Sequence, residues 1–322
     1  MAATPGSEAR TGLKLISPTA IYVILLLAVP LATVLIYSVM TGGRGNVSFP
    51  VTGENYYSLL NTKGGGNLID YFAKGMPGED PDLTFLKWIW NGLSNAVYVF
   101  VLLKSLMIAL AVTLITVLLA YPVAYFVSFH VKPDRKSLWL FLITIPFWTS
   151  YIIRVSLWFV ILGYDGLLDK LLMSLGITNT QLNFSSYGVP AIIFILAHAY
   201  APFAVLPIFV SLEKVDRSLL EAGQDLGESR WITFLRVTLP LSMPGVIAAS
   251  LIVFIPTVGD YVTPRLVGDG KQPLIANFIE TQLLKLQDFP QGSAFAVASM
   301  LMVGIVSVGF VLLNRRFIRG QK

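Results

Sequence analysis

The chain has 322 residues, of which 55% are hydrophobic and only 13% charged, with a mean hydropathy of +0.71. Soluble domains carry roughly a quarter charged residues, so this composition excludes an ordinary water-soluble fold and implies an all-α, polytopic membrane protein. There is no cysteine, hence no disulfide and no thiolate metal site, and the net charge of +5 is not gathered into an aromatic-interleaved basic run of the kind that binds nucleic acid.

Residues 1–14 form a polar tail with Arg10 and Lys14. The first transmembrane helix is expected within 15–40. Its apolar run is longer than a signal-peptide core and no A-x-A site follows, so a retained helix is expected, with a cleaved signal as the alternative. Residues 41–96 are a polar, glycine-rich insertion containing Gly64-Gly65-Gly66, Asp70, Glu79, Asp80 and Asp82. It closes on Phe85, Trp88 and Trp90, expected to lie at the membrane surface. A five-helix core is expected over 97–313. Its first span, 97–129, exceeds the roughly 20 residues that a straight crossing needs. A basic loop with Lys132, Arg135 and Lys136 follows. Then come a third span at 138–162, a polar segment at 163–188, and further spans at 189–211, 242–263 and 294–313, before a basic tail at 314–322.

The loop at 212–240 is the longest charged segment between two apolar spans. Asp216 can cap a helix that carries Leu219, Leu220 and Leu226 at helical spacing, Gly227 can stop it, and Ser229 can cap a second short helix. Pro240 and Pro244 are expected to punctuate the start of the next span. Six spans put both termini on one side. The loops of that side hold 13 Lys and Arg in about sixty residues, against 8 in about 110 on the other. The positive-inside rule then places both termini and the 212–240 loop in the cytoplasm, and the 41–96 insertion outside.

Within this loop Glu221-Ala222-Gly223, three residues, Gly227, nine residues and Val237-Thr238-Leu239-Pro240 resemble the EAA motif of ABC importer permeases, E-A-A-x3-G-x9-I-x-L-P. Gly223 stands for the second alanine and Val237 for isoleucine. Leu119 to Tyr125, Ile145-Pro146-Phe147-Trp148-Thr149-Ser150, and Phe254 to Pro264 with Leu266-Val267-Gly268 extend the likeness over about 95–315, most like the first permease of spermidine/putrescine-type systems. The resemblance implies a bacterial inner-membrane, multi-pass subunit that is not itself an enzyme. It implies Glu221, Ala222, Gly223, Asp225, Gly227, Leu239 and Pro240 as the coupling residues. It also implies a second permease subunit as heterodimer partner, two ATPase subunits and a soluble periplasmic substrate-binding protein. No Gly-x4-Gly-Lys-Ser/Thr stands in the chain, so ATP and its magnesium are expected on the partner ATPase. No cofactor or metal is expected here. Lys104 departs from the family, which more often has a small polar residue there.

Charged groups inside spans are functional candidates, because placing one there costs several kcal/mol. Asp260, beside Tyr261, suits an ammonium substrate through charge pairing and cation–π attraction. The alternative is a structural role, as an ion pair with Arg154 or a cap near Pro264. Arg154 either holds helices together and gates or touches the substrate, and Trp148 and Tyr151 either pack or line the path. Pro146, Pro202, Pro207 and Pro256 break backbone hydrogen bonds and mark hinge or cavity points. His198 is expected to be packed and hydrogen-bonded. The expectation is therefore a permease that moves polyamines or similar small organic cations by alternating access. A permease for another small solute and an ion-coupled secondary transporter are the alternatives, the latter calling for an inverted repeat and midplane carboxylates.

Overall fold

A computed structural model describes residues 5–63, 65–74, 85–178, 188–267 and 271–319. Gly64, Glu79, Asp80, Asp82 and Gly268 lie outside the described residues. Among those described, six helical stretches are long and apolar enough to cross a membrane.

Helix α1 (Pro5–Tyr37) takes in much of the polar tail as well as the first span. In place of further helix, the insertion begins with a two-stranded antiparallel hairpin, β1 (Met40–Gly43) and β2 (Asn46–Val51), so the fold is helical with one small exception. Three helices follow: α2 (Glu54–Ser58), α3 (Leu68–Ala73) and α4 (Phe85–Asn95). Gly92 of α4 lies against Tyr71 and Phe72, where a Cβ would come within 2.7 Å of Tyr71. Trp88 stacks on Tyr71 and meets Phe72 edge-on. Trp88 is therefore spent on the insertion's own packing, whereas Phe85 and Trp90 are exposed as a membrane-surface pair would be.

Helix α5 (Val97–Phe129) runs unbroken for 33 residues, about 50 Å at 1.5 Å per residue. The third span is not the single helix expected over 138–162. That stretch is α6 (Pro133–Thr144), a 3₁₀ turn at Ile145–Trp148, two extended residues and α7 (Tyr151–Leu162), and the third stretch long and apolar enough to cross is instead Tyr151–Ser174, α7 with α8 (Leu167–Ser174). Pro146 lacks an N–H and its ring crowds the carbonyl four residues back, which ends the α-helical ladder there. Next come α9 (Val189–Leu212), α10 (Arg217–Asp225) and α11 (Arg230–Thr233). A π turn at Phe234–Thr238 then leads without a break into α12 (Leu239–Val258). The fifth span thus begins earlier in the chain than expected, at Arg230, and Pro240 does not interrupt it. The wider turn before Pro240 frees the backbone from the clash a proline would cause in an α-helical one. The rest is α13 (Val262–Leu266), α14 (Ile275–Glu280), a second π turn, α15 (Phe289–Leu313) and α16 (Arg315–Arg319).

The core is the contact of α5, α9 and α12. Ala109, Val112, Thr116, Ala120, Ala124 and Val127 of α5 recur every three or four residues and are fully or almost fully buried. Val112, Ala120, Ala124 and Val127 pack with Ile192, Ile195, Ile208 and Leu212 of α9 and Ala249 and Val253 of α12, whereas Ala109 packs with Phe254 and Val258 at the other end of α12. Lipid is as apolar as leucine, so such helices are held by close packing through small residues and by hydrogen bonds. Gly245 is the tightest point. A Cβ there would meet the Pro207 carbonyl oxygen at 2.4 Å and Ser211 Cβ at 2.5 Å, and its N–H donates to Ser211 Oγ at 3.1 Å. Helix α1 leans on α15, outside the α5, α9 and α12 core.

A side chain at position 245 should therefore force α9 and α12 apart. Gly245→Leu is expected to cost about 1–3 kcal/mol and to lower the melting midpoint in detergent. Gly304→Leu on α15, where a Cβ would meet nothing within 4 Å, should leave the midpoint unchanged.

Candidate functional site

Two places bring the predicted residues together: the 212–240 loop and a cleft between α7 and α9.

The loop folds as the local sequence dictates. Asp216 accepts a hydrogen bond from Ser218 N at 2.9 Å and caps α10, and this bond holds its carboxyl below the usual carboxylate range. Gly227 has φ +86°, the left-handed conformation that ends a helix. Around it Glu228 N donates to Gly223 O at 3.1 Å and Gly227 N to Gln224 O at 2.9 Å, the paired bonds of a Schellman ending. Ser229 Oγ then accepts from Ile232 N at 3.3 Å and caps α11. Glu221, Ala222 and Asp225 are exposed on α10. Leu219, Leu226, Trp231 and Leu235 are exposed beside them, with Leu226 at 86%. Leu239 and Pro240 stand at the start of α12, behind this face.

Gly223 lies in the angle between the two helices. A Cβ there would meet Thr233 Cγ2 at 3.1 Å and Oγ1 at 3.2 Å. The glycine that departs from the E-A-A pattern is thus matched by the buried Thr233, whose methyl and hydroxyl fill the space of the missing methyl. The pair is anchored on α5 through Phe234, whose ring meets Tyr121 and Tyr125 edge-on at 5.6 and 6.0 Å. Tyr121 also shares a 2.7 Å hydrogen bond with Ser242 of α12. The Leu119–Tyr125 stretch therefore seats the loop, a contact between distant segments that no local pattern announces.

The cleft has a volume of about 490 Å³ and is lined by Phe147, Trp148, Tyr151, Arg154, Tyr200 and Phe203, among others. It opens where the third span is interrupted. Arg154 lies over the Phe147 ring at 4.8 Å, and one guanidinium nitrogen donates to Ala199 O at 3.4 Å, while its Nε is buried without a partner. Tyr151 Oη and Thr263 Oγ1 are 2.8 Å apart and share a hydrogen bond. Asp260 lies behind Tyr151, buried at 6% exposure just past the end of α12. Its Oδ1 accepts from Val262 N at 3.2 Å, whereas Oδ2 is buried without a partner. No ion pair joins Asp260 to Arg154 among the described residues, so the structural alternative survives only as the cap of α13. Trp148, Tyr151 and Arg154 line the cleft together; Tyr261 stands apart, its carbonyl accepting from Asn277 Nδ2 at 2.8 Å. Tyr200 and Phe203, not singled out in the sequence, complete the wall, and the only local signal for them is the aromatic pair around Pro202. His198 accepts a hydrogen bond from Trp158 Nε1 at 3.0 Å yet is exposed on the surface of the chain, so it is bonded but not packed inside.

A helical chain with six candidate spans among its described residues, and a charged 212–240 loop folded as a glycine-broken pair of exposed helices, has the form of a multi-pass membrane subunit with a face open to a partner. The family described as "Binding-protein-dependent transport system inner membrane component" matches residues 120–320. The chain belongs to this family and is a permease subunit of an ABC importer, a translocation component and not an enzyme. It is 36% identical over 230 residues to the spermidine/putrescine transport system permease protein PotB of Escherichia coli (strain K12), covering 70% of this chain and 83% of that one. It is 32% identical over 300 residues to the protein of the same name from Haemophilus influenzae, covering 92% of each. The structure resembles a chain of a bacterial ABC transporter that imports alginate, with a TM-score of 0.62 at 14% identity, covering 96% of this chain and 99% of that one, a likeness of fold alone.

Restoring alanine at 223 should push against Thr233 and loosen the loop. Gly223→Ala is expected to cost about 1 kcal/mol, read as faster limited proteolysis between α10 and α11. The double variant Gly223→Ala/Thr233→Ala should return most of the protection.

Proposed function

We propose that this chain forms one wall of the path by which polyamines or similar small organic cations enter the cell, and that it is moved by alternating access. The observation that carries this is the exposed α10–α11 pair, continuous through the π turn with the span α12 that ends at Asp260. Two ATPase subunits, which would hold ATP and magnesium, grip the face formed by Glu221, Ala222, Asp225 and the exposed leucines. A second, related permease completes the path, and a soluble binding protein delivers substrate from the periplasm. Both termini and the 212–240 loop then lie in the cytoplasm, as the asymmetry of lysine and arginine implies.

The cation reading is supported by the names of the relatives and by Asp260. An ammonium group reaching Oδ2 would satisfy a buried oxygen that otherwise costs about 1–3 kcal/mol, and Tyr151 and Tyr200 line the cleft beside it. Arg154, held on the Phe147 ring and the Ala199 carbonyl, closes the other end of the cleft and acts as a gate.

In proteoliposomes carrying the full transporter, Glu221→Lys should abolish uptake while the membrane subunits still assemble; unaltered uptake would overturn the docking role. Labelled spermidine and putrescine should be taken up and an anionic solute of similar size should not. Asp260→Asn keeps the side-chain oxygen that Val262 N needs. It should raise the apparent KM for the cation about 10- to 100-fold, the equivalent of a lost charge-assisted hydrogen bond, with the melting midpoint little changed.

A further inference from the structure

A group of polar side chains on the inner side of the bundle belongs neither to the docking face nor to the cleft. Glu213 directly follows α9. Its Oε1 accepts two hydrogen bonds, from Ser128 Oγ at 2.6 Å and from Lys136 Nζ at 2.6 Å. Ser128 is buried at 1% exposure near the end of α5, and the Lys136 side chain, on α6, is only 14% exposed. Arg217, the first residue of α10, donates to the Ser128 carbonyl at 3.2 Å and lies over the Phe129 ring at 6.0 Å. One carboxylate thus joins the ends of α5, α6 and α9, and the same corner holds the first turn of the docking helix. Burial works against the Glu213 carboxylate. The Lys136 and Ser128 hydrogen bonds and the nearby Arg217 charge outweigh it and hold its pKa below the ordinary glutamate range.

An isolated surface ion pair contributes little, about 0–1 kcal/mol. This arrangement differs because two short charge-assisted bonds converge on one oxygen and three separate segments meet there. Its place in the chain gives it a further consequence. Lys136 stands on α6, and α7, which follows α6 across the 3₁₀ turn at Ile145–Trp148, carries Tyr151 and Arg154 of the cleft.

We propose that Ser128, Lys136, Glu213 and Arg217 are a clamp that transmits displacement of the docking helix α10 to α6, and through it to the gate residues of α7. The four are positioning residues for transport and touch no substrate. The proposal rests on the reading that an ATPase grips α10 and α11.

The test uses the whole transporter in proteoliposomes and measures three quantities for each variant: co-purification of the ATPase subunit, melting midpoint, and uptake per ATP hydrolysed. Glu213→Gln and Lys136→Met should keep co-purification and melting midpoint at the unmodified level while uptake per ATP falls at least about 5-fold, the lower end of ordinary coupling energies. The double variant Glu213→Gln/Lys136→Met should fall no further than either single one, and Lys136→Arg should restore the ratio. Unchanged uptake per ATP in both single variants would overturn the clamp and leave the docking reading intact. A melting midpoint that falls in step with the ratio would reduce the cluster to a structural tie and equally overturn it. If the ATPase does not co-purify even with the unmodified permease, the docking reading fails and the clamp fails with it.

Discussion

The hydrogen bond between Tyr151 Oη and Thr263 Oγ1, 2.8 Å long, joins the two places where this bundle gives up regular helix at depth. On one side the third span is interrupted from Ile145 to Ser150, and on the other α12 stops at Val258 and the chain turns through Asp260. Hydrocarbon does not tolerate irregular backbone unless protein or a water-filled cavity covers it. Each break therefore needs the other, and the cleft exists because they coincide. Tyr200 and Phe203 of α9 cover the remaining side, on a helix that keeps its regular course past Pro202 because its neighbours in the core hold it.

The two helices of the 212–240 loop are linked to the two sides of this joint. Helix α11 continues through the π turn into α12, which stops two residues before Asp260. Helix α10 has no such continuation. Its first residue is tied to α5 by Arg217, and Glu213, just before it, holds Lys136 of α6. Between the two helices, Thr233 fills the space that a side chain at Gly223 would need, so the two helices pack closely.

What the sequence revealed follows from the range of the interactions involved. The loop was legible almost residue by residue, because Asp216, Gly227 and Ser229 act on backbone two to five residues away. Helix α5 was legible as a span from the length of its apolar run, which needs no distant partner to be read. The break at Pro146 was legible as a weak point but not as an end of helix, since prolines 202 and 207 stand in an uninterrupted helix in the same chain. Which proline breaks a span depends on what packs beside it. The aromatic seat of Phe234 on Tyr121 and Tyr125, and the meeting of Ser128, Lys136 and Glu213, depend on segments about 80 to over 100 residues apart. Composition and periodicity carry no record of them.

Electrostatics completes the account of the cleft. Lys104 and Arg154 place two positive groups within spans, against one carboxylate, Asp260. Taken as point charges they would repel a cation. Neither positive group stands free, however. Lys104 donates to Gln272 Oε1, whose side chain packs on Gly188, and Arg154 is held over an aromatic face and on a backbone carbonyl. Asp260 Oδ2 and Arg154 Nε are the atoms of these groups left without a partner, and of the two only the carboxylate oxygen can accept a bond from an ammonium group. In a medium of low polarity the group with an unmet hydrogen bond decides what a passing solute gains, because charges already matched by fixed partners change little as the solute goes by. The imbalance in charge number is therefore compatible with a path for cations.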